Sequence, residues 1–105
     1  MSSSQIQLET DPKILYIDDD PQNRTLINRL LTNYNFSVIE AATGLEGIRI
    51  AQSEIPDLIL MDINMPGLDG HETTTRMRSI AGLQKTPIIA LTVRTTSGER
   101  ELALL

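Results

Sequence analysis

The stretch "ILYIDDDPQNR", residues 14–24, joins an apolar run to three consecutive carboxylates. Residues 14–17 form a continuous apolar block of the kind found in strands buried on both faces. Asp20 stands directly before Pro21, which is the usual arrangement of a capping acceptor and the first residue of a helix. The stretch therefore predicts a buried strand, an acidic loop and a helix. It leaves open whether Asp18 and Asp19 are solvated loop residues or part of a metal site.

Similar apolar blocks recur along the chain, at residues 58–61 and 88–91. Residues 36–39 are more mixed, which suits a strand nearer a sheet edge. Amphipathic helical patterns lie between the blocks, and their apolar positions are Ile27, Leu30, Leu31 and Tyr34 in 21–34, Ile48, Ala51 and Ile55 in 44–54, and Met77 and Ile80 in 70–81. This alternation predicts an α/β fold with a doubly wound parallel sheet.

Helix starts are marked by a short polar acceptor followed three residues later by glutamate. This capping-box pattern occurs at residues 43–46, 69–72 and 96–99. The last match predicts a fourth helix that runs to Leu105.

Composition limits the class of protein. With 105 residues the chain is one small domain, and we divide it into a flexible N-terminal tail at 1–12 and a folded domain at 13–105. A net charge of −5 argues against direct nucleic-acid binding, and the lack of cysteine excludes disulfides and thiolate zinc sites. Without an apolar run of membrane-spanning length or a signal-peptide pattern, we expect no membrane contact and a cytoplasmic location.

Polar residues follow the ends of the predicted strands. Asp18 and Asp19 follow the first strand, Asp62 and Asn64 the third, and Thr92 the fourth. Ligands of such sheets bind beyond the carboxyl ends of the strands, and a 2-1-3-4 strand order would bring these residues together. Neighbouring carboxylates repel one another unless a cation binds between them, and oxygen ligands in small number suit Mg²⁺.

Three segments, "ILYIDDDPQNR", "DLILMDINMPGLDG" and "TPIIALT", resemble in order and spacing the receiver domain of two-component response regulators. The resemblance extends over residues 13–105. It implies a flavodoxin-like sheet with strand order 2-1-3-4.

The resemblance also implies a role for each site residue. Asp62 would be the phosphoacceptor, receiving a phosphoryl group from a histidine of a sensor histidine kinase or phosphotransfer protein. Asp19 and Asp62 would bind Mg²⁺, or Mn²⁺ in its place, with Asp18 assisting and the backbone carbonyl of Asn64 as a further ligand. Thr92 would bind a phosphoryl oxygen and act as the switch. Such a domain is not a conventional enzyme, and it would signal to a downstream protein target.

The sequence departs from the family pattern after the fourth strand. The expected fifth strand, with its Lys-Pro pair, and the fifth helix are absent from the 105 residues, so we predict a domain lacking both. Lys13 and Lys85 precede strands and would lie at the opposite sheet edge. We therefore expect weak phosphorylation that needs high Mg²⁺. Arg94 would partly replace the missing lysine, and the branched side chain of Val93 would narrow access to the phosphoryl group.

Two further expectations follow from the predicted truncation. The fourth strand would become an open edge beside a helix that exposes Leu102, Leu104 and Leu105, which favours a homodimer, a swapped assembly or marginal stability. The alternative function is a receiver-like protein-interaction module, or a fragment that is not efficiently phosphorylated. An aspartyl-phosphate phosphatase is excluded by Asn64, which stands where such enzymes need a second aspartate.

Overall fold

The computed structural model describes residues 11–65, 67, 70–93 and 100–105. Nearly all of the predicted tail at 1–12 lies outside these residues, as does Arg94. The elements are β1 (Lys13–Ile17), α1 (Pro21–Asn33), β2 (Ser37–Ala41), α2 (Gly44–Glu54), β3 (Leu58–Asp62), α3 (Gly70–Arg78), β4 (Ile88–Val93) and β5 (Arg100–Leu104). Within the described part of the chain, no helix has the length and apolar character needed to cross a bilayer.

The strands form one sheet in the order β2-β1-β3-β4-β5. The first four strands are parallel, which confirms the predicted 2-1-3-4 order. In this register Ile17 of β1 is the partner of Met61 in β3. The carboxyl ends of β1 and β3 therefore lie side by side, because parallel strands end at the same sheet edge.

The prediction for the last segment of the chain is wrong. Arg100–Leu104 is a strand, antiparallel to β4, rather than part of a fourth helix. The domain thus has a fifth strand, and its described residues contain three helices. Pairing with β4 satisfies backbone groups on both strands, and this tertiary contact overrides the local helical preference of the sequence.

Because β4 pairs with β3 on one side and β5 on the other, it is not an open edge. The exposed fourth strand and helix on which the expected assembly depends are therefore not present in the described residues. Leu102 and Leu104 are nevertheless exposed, at 66% and 76%.

The main core lies between the sheet and the helices α2 and α3. Its sheet residues alternate along each strand, as Leu15 and Ile17 do in β1 and Ile59 and Met61 in β3. The helices contribute Ala51 and Met77, and Ile48 and Ile80 pack against the cluster, as the sequence predicts. Ile55, predicted on the same face of α2, is instead 44% exposed.

The helix α1 lies on the opposite face of the sheet, over β1 and β2. None of its residues is fully buried. The prediction that Leu30 and Tyr34 face inward is wrong, since they are 49% and 70% exposed, whereas Ile27 and Leu31 are half-buried. The stripe that meets the sheet is narrower than the apolar stripe in the sequence because α1 covers only two strands.

Two predicted helix starts are confirmed by their capping hydrogen bonds. Asp20 caps α1, and its Oδ1 accepts from the backbone N of Gln22 at 2.9 Å. Thr43 caps α2, and its Oγ1 accepts from the backbone N of Glu46 at 3.1 Å. The residues predicted to cap the other two helices lie outside the described part of the chain.

The connection from α3 to β4 is held by one arginine. Arg78 Nη1 donates to the carbonyl oxygens of Leu83 and Thr86 at 2.9 Å and 2.6 Å. Its Nη2 donates to the carbonyl oxygen of Leu105 at 3.1 Å. A single guanidinium therefore joins α3, the following loop and the segment after β5.

Candidate functional site

Three carboxylates meet at the sheet edge where β1 and β3 end. Asp18 and Asp19 follow β1, and Asp62 is the last residue of β3. Each offers one carboxylate oxygen, and these oxygens all lie within 4.8 Å of one another. The structure thus brings together the three acids that the sequence analysis singled out.

The three acids differ in their exposure to solvent. Asp18 is fully buried, Asp62 is half-buried and Asp19 is exposed. The site therefore opens to solvent on the side of Asp19, while Asp18 forms its floor.

Asp18 is stabilised by three hydrogen bonds to its carboxylate. Its Oδ2 accepts from the Tyr16 hydroxyl at 2.6 Å and from Asn23 Nδ2 at 3.3 Å. Its Oδ1 accepts from the backbone N of Asp20 at 2.9 Å. Burial of a carboxylate is costly unless its oxygens are hydrogen-bonded, and these donors explain how the structure tolerates it.

Asp62 is oriented by the turn that follows β3. Its Oδ1 accepts a hydrogen bond from the backbone N of Asn64 at 2.9 Å. The next residue, Ile63, donates its backbone N to the carbonyl oxygen of Leu91 at 3.3 Å, which ties the turn to β4. Asn64 itself is exposed at the mouth of the site.

The acidic loop is also connected to a cation on α1. Arg24 Nη1 donates to the backbone carbonyl of Asp18 at 2.7 Å. Its Nε lies 3.4 Å from Glu40 Oε1 on β2. Arg24 thus anchors the start of α1 to the acidic loop and to β2, and it places positive charge beside the loop.

Thr92 and Val93 lie within β4, although the sequence analysis ended this strand at Leu91. Leu91 is the register partner of Asp62, so the backbone of Thr92 is one step further along at the same edge. Pairing with β5 extends the strand, since Thr92 is the partner of Glu101.

The lysines lie away from this edge. Lys13, at the amino end of β1, has its Nζ 3.0 Å from Glu54 Oε1. Lys85 is exposed in the turn that precedes β4. Their placement agrees with the prediction that neither lysine reaches the acids.

The donor set fits a small divalent cation. Mg²⁺ binds oxygen ligands at about 2.1 Å in octahedral geometry, which places ligand oxygens about 3 Å apart when adjacent and about 4 Å apart when opposite. The separation of up to 4.8 Å among the oxygens of Asp18, Asp19 and Asp62 is close to these distances. Asp19 is exposed, so the site has room for water ligands on that side.

Three residues that contact the acidic loop were not predicted from the sequence: Tyr16, Asn23 and Arg24. A signal for Tyr16 was present, because alternation along a strand places it on the same face as Asp18, two residues later. Asn23 and Arg24 gave no such signal, since their contacts depend on how α1 packs against β1.

A family model for the response regulator receiver domain matches residues 14–104. Among characterised proteins, the transcriptional regulatory protein AfsQ1 of Streptomyces coelicolor is 40% identical over 83 residues, which is 79% of this chain and 36% of AfsQ1. The sensor histidine kinase CheAY of Helicobacter pylori is 36% identical over 93 residues, which is 87% of this chain and 12% of CheAY. The chain thus spans well under half the length of these two relatives.

Solved structures of receiver domains are also similar to this chain. The chemotaxis response regulator CheY4 of Vibrio cholerae superposes with a TM-score of 0.78 at 34% identity, covering 82% of this chain and 72% of that chain. The receiver domain of the sensor histidine kinase PA1611 from Pseudomonas aeruginosa, solved with a magnesium ion in its active-site cleft, has a TM-score of 0.77 at 35% identity, covering 85% and 73%. Together with the fold and the acidic site, these matches show that the chain belongs to the response regulator receiver domain family.

Proposed function

We propose that this domain accepts a phosphoryl group on Asp62 from a histidine of a sensor histidine kinase or phosphotransfer protein, in a reaction that needs Mg²⁺. The observation that carries the proposal is the meeting of three carboxylate oxygens within 4.8 Å at the ends of two adjacent parallel strands. Membership of the receiver family supports the same role.

In the proposed step, a carboxylate oxygen of Asp62 attacks the phosphorus of the phosphohistidine. A P–O bond forms, the P–N bond breaks, and the imidazole nitrogen keeps the electron pair. Because phosphoryl transfer depends on alignment and charge neutralisation, the main task of the protein is to hold the acceptor carboxylate in place. We assign this task to the hydrogen bond from the backbone N of Asn64 to Asp62 Oδ1.

Asp19, Asp62 and the backbone carbonyl of Asn64 are the proposed metal ligands, with Asp18 assisting from the floor of the site. When bound, Mg²⁺ or Mn²⁺ supplies the positive charge that three acids and a phosphoryl group require. Thr92 is proposed to bind a phosphoryl oxygen and to act as the switch, since its backbone lies beside the end of β3. Val93 is proposed to modify access to the phosphoryl group, and Arg94 to modify the charge around it. The phosphorylated domain would act on a downstream protein target in the cytoplasm.

The test is incubation with acetyl phosphate and Mg²⁺, read by intact-protein mass spectrometry. We expect one phosphoryl adduct in the unmodified chain and none in Asp62→Asn or after chelation of Mg²⁺. Asp57→Asn is the matched control, because Asp57 is an exposed aspartate at the other end of β3 and should leave the adduct intact. An adduct that survives in Asp62→Asn would contradict the assignment.

A second candidate is a receiver-like protein-interaction module that is not efficiently phosphorylated. The position of the lysines favours it, since Lys13 is paired with Glu54 and Lys85 lies in the turn before β4. A close cation would offset the charge of an added phosphoryl group. Absence of any adduct in the unmodified chain at saturating Mg²⁺, with the fold intact, would favour this candidate.

A further inference from the structure

We propose that Tyr16 is a positioning residue of the acidic site, whose hydroxyl fixes the Asp18 carboxylate in the orientation that supports binding of a divalent cation. This inference rests on the proposed function, because it assumes that the site binds Mg²⁺. It assigns a role to a side chain whose type, in a buried strand, would otherwise indicate core packing alone.

Tyr16 is well placed for this role. Its side chain is fully buried, and its strand β1 is paired with β2 on one side and β3 on the other. Its hydroxyl donates to Asp18 Oδ2 at 2.6 Å, which is a short bond of the kind formed with an ionised acceptor. Asp18 is also fully buried, so solvent does not compete for this oxygen.

The remaining donors show what the bond from Tyr16 achieves. A carboxylate has about four acceptor positions, two on each oxygen. Tyr16 and Asn23 both donate to Oδ2, while the backbone N of Asp20 donates to Oδ1. The acceptor position that is left is therefore on Oδ1.

Rotation of the carboxylate would break the bonds from Tyr16 and from the backbone of Asp20 together. The two bonds thus keep one defined oxygen of Asp18 available to the site. Groups that hydrogen-bond to metal-ligating or metal-supporting side chains commonly tune metal affinity in this way.

The direct test is Mg²⁺ affinity measured by titration calorimetry in the unmodified chain and in Tyr16→Phe. The substitution keeps the ring and removes only the hydroxyl. We expect the Kd for Mg²⁺ to rise about tenfold. Tyr34→Phe is the matched control, because it removes the same group from a tyrosine that is 70% exposed, and its Kd should not change.

A double-mutant cycle separates positioning from general packing. If Tyr16 acts through Asp18, then Tyr16→Phe should have no further effect on the Kd in an Asp18→Ala background. A tenfold loss that persists in that background would overturn the proposal, because it would show that the hydroxyl acts by another route.

The outcomes also separate this proposal from the proposed function. If the unmodified chain binds Mg²⁺ and Tyr16→Phe binds it equally well, Tyr16 has no positioning role while the proposed function stands. If the unmodified chain binds no Mg²⁺, both are contradicted. Should Tyr16→Phe fail to fold by circular dichroism, Asn23→Ala removes the other Oδ2 donor from a half-buried position. We expect a weaker loss of affinity there, and an unchanged Kd would overturn the role of the Oδ2 bonds.

Discussion

The two faces of the sheet differ in how completely they are covered. On the face of α2 and α3, Ile59 and Met61 are fully buried in the core cluster. On the face of α1, Leu58 and Leu60 are half-buried, and Leu102 is 66% exposed. Neighbouring residues of β3 face opposite sides of the sheet, so the burial of adjacent side chains in this strand compares the two faces.

Tyr16 and the buried carboxylate of Asp18 lie on the less covered face. Tyr16 alternates with Leu15 and Ile17, which are in the core cluster, and so it lies on the side of α1, as Asp18 does two residues later. Here α1 covers β1 locally and keeps both residues buried. We therefore expect the packed face to provide most of the stability, while the hydrogen bonds that hold Asp18 lie on the other face.

The largest loss of stability is expected for a substitution on the face covered by α2 and α3. Ile59→Ala should lower the free energy of unfolding by about 3 to 4 kcal/mol, because it opens a cavity in the closed core. Leu60→Ala, one residue later on the other face, should cost about 1 to 2 kcal/mol, since its side chain is only half-buried. Urea unfolding of both variants measures the difference. Equal losses would contradict the distinction between the two faces.

The next effect concerns the loop between α3 and β4. Arg78→Ala should cost about 2 kcal/mol, because the guanidinium bonds to the carbonyls of Leu83, Thr86 and Leu105 are lost together. Arg76→Ala is the control. It removes only an exposed pair with Glu72 and should cost less than about 0.5 kcal/mol by the same urea measurement. If the two variants were equally stable, the structural role of Arg78 would be refuted.

Substitutions of the two exposed acids of the loop, Asp19 and Asp20, should have different effects on stability and on Mg²⁺ affinity. Asp20→Ala should cost about 1 kcal/mol of unfolding free energy, since it removes the cap of α1, and should leave Mg²⁺ affinity unchanged. Asp19→Ala should keep the stability and lose Mg²⁺ binding. Chemical unfolding and calorimetry on both variants test this, and a loss of Mg²⁺ binding in Asp20→Ala would show that the cap is also a ligand.

The smallest effect is expected on the open part of the α1 face. Leu104→Ser should change the unfolding free energy by less than about 0.5 kcal/mol, because the side chain is 76% exposed. Thermal and urea unfolding at several protein concentrations measure this. A loss above 1 kcal/mol that depends on concentration would show that another copy covers this leucine in solution.

Much of this arrangement follows from local sequence features. Continuous apolar blocks locate β1, β3 and β4, and Asp20-Pro21 marks the start of α1 without reference to the rest of the chain. The convergence of Asp18, Asp19 and Asp62 required the strand order as well, which came from the resemblance to the receiver family.

The features that could not be predicted depend on tertiary contacts. The segment of β5 has a helical pattern in the sequence, but its pairing with β4 makes it a strand. The exposure of Leu30 depends on how much of the sheet α1 covers. The bond from Tyr16 to Asp18 joins two side chains whose orientations the sequence does not specify, so only the structure reveals how the buried acid is held.

We propose that one divalent cation binds at the edge where β1 and β3 end. Titration with paramagnetic Mn²⁺, followed in amide NMR spectra, tests it directly because broadening falls steeply with distance from the ion. We expect that the amide signals of Asp19, Asp62 and Asn64 are lost first, while those of Lys13 and Asp57 at the opposite edge persist. Early loss of the Lys13 and Asp57 signals, with those of Asp19 and Asp62 retained, would contradict it.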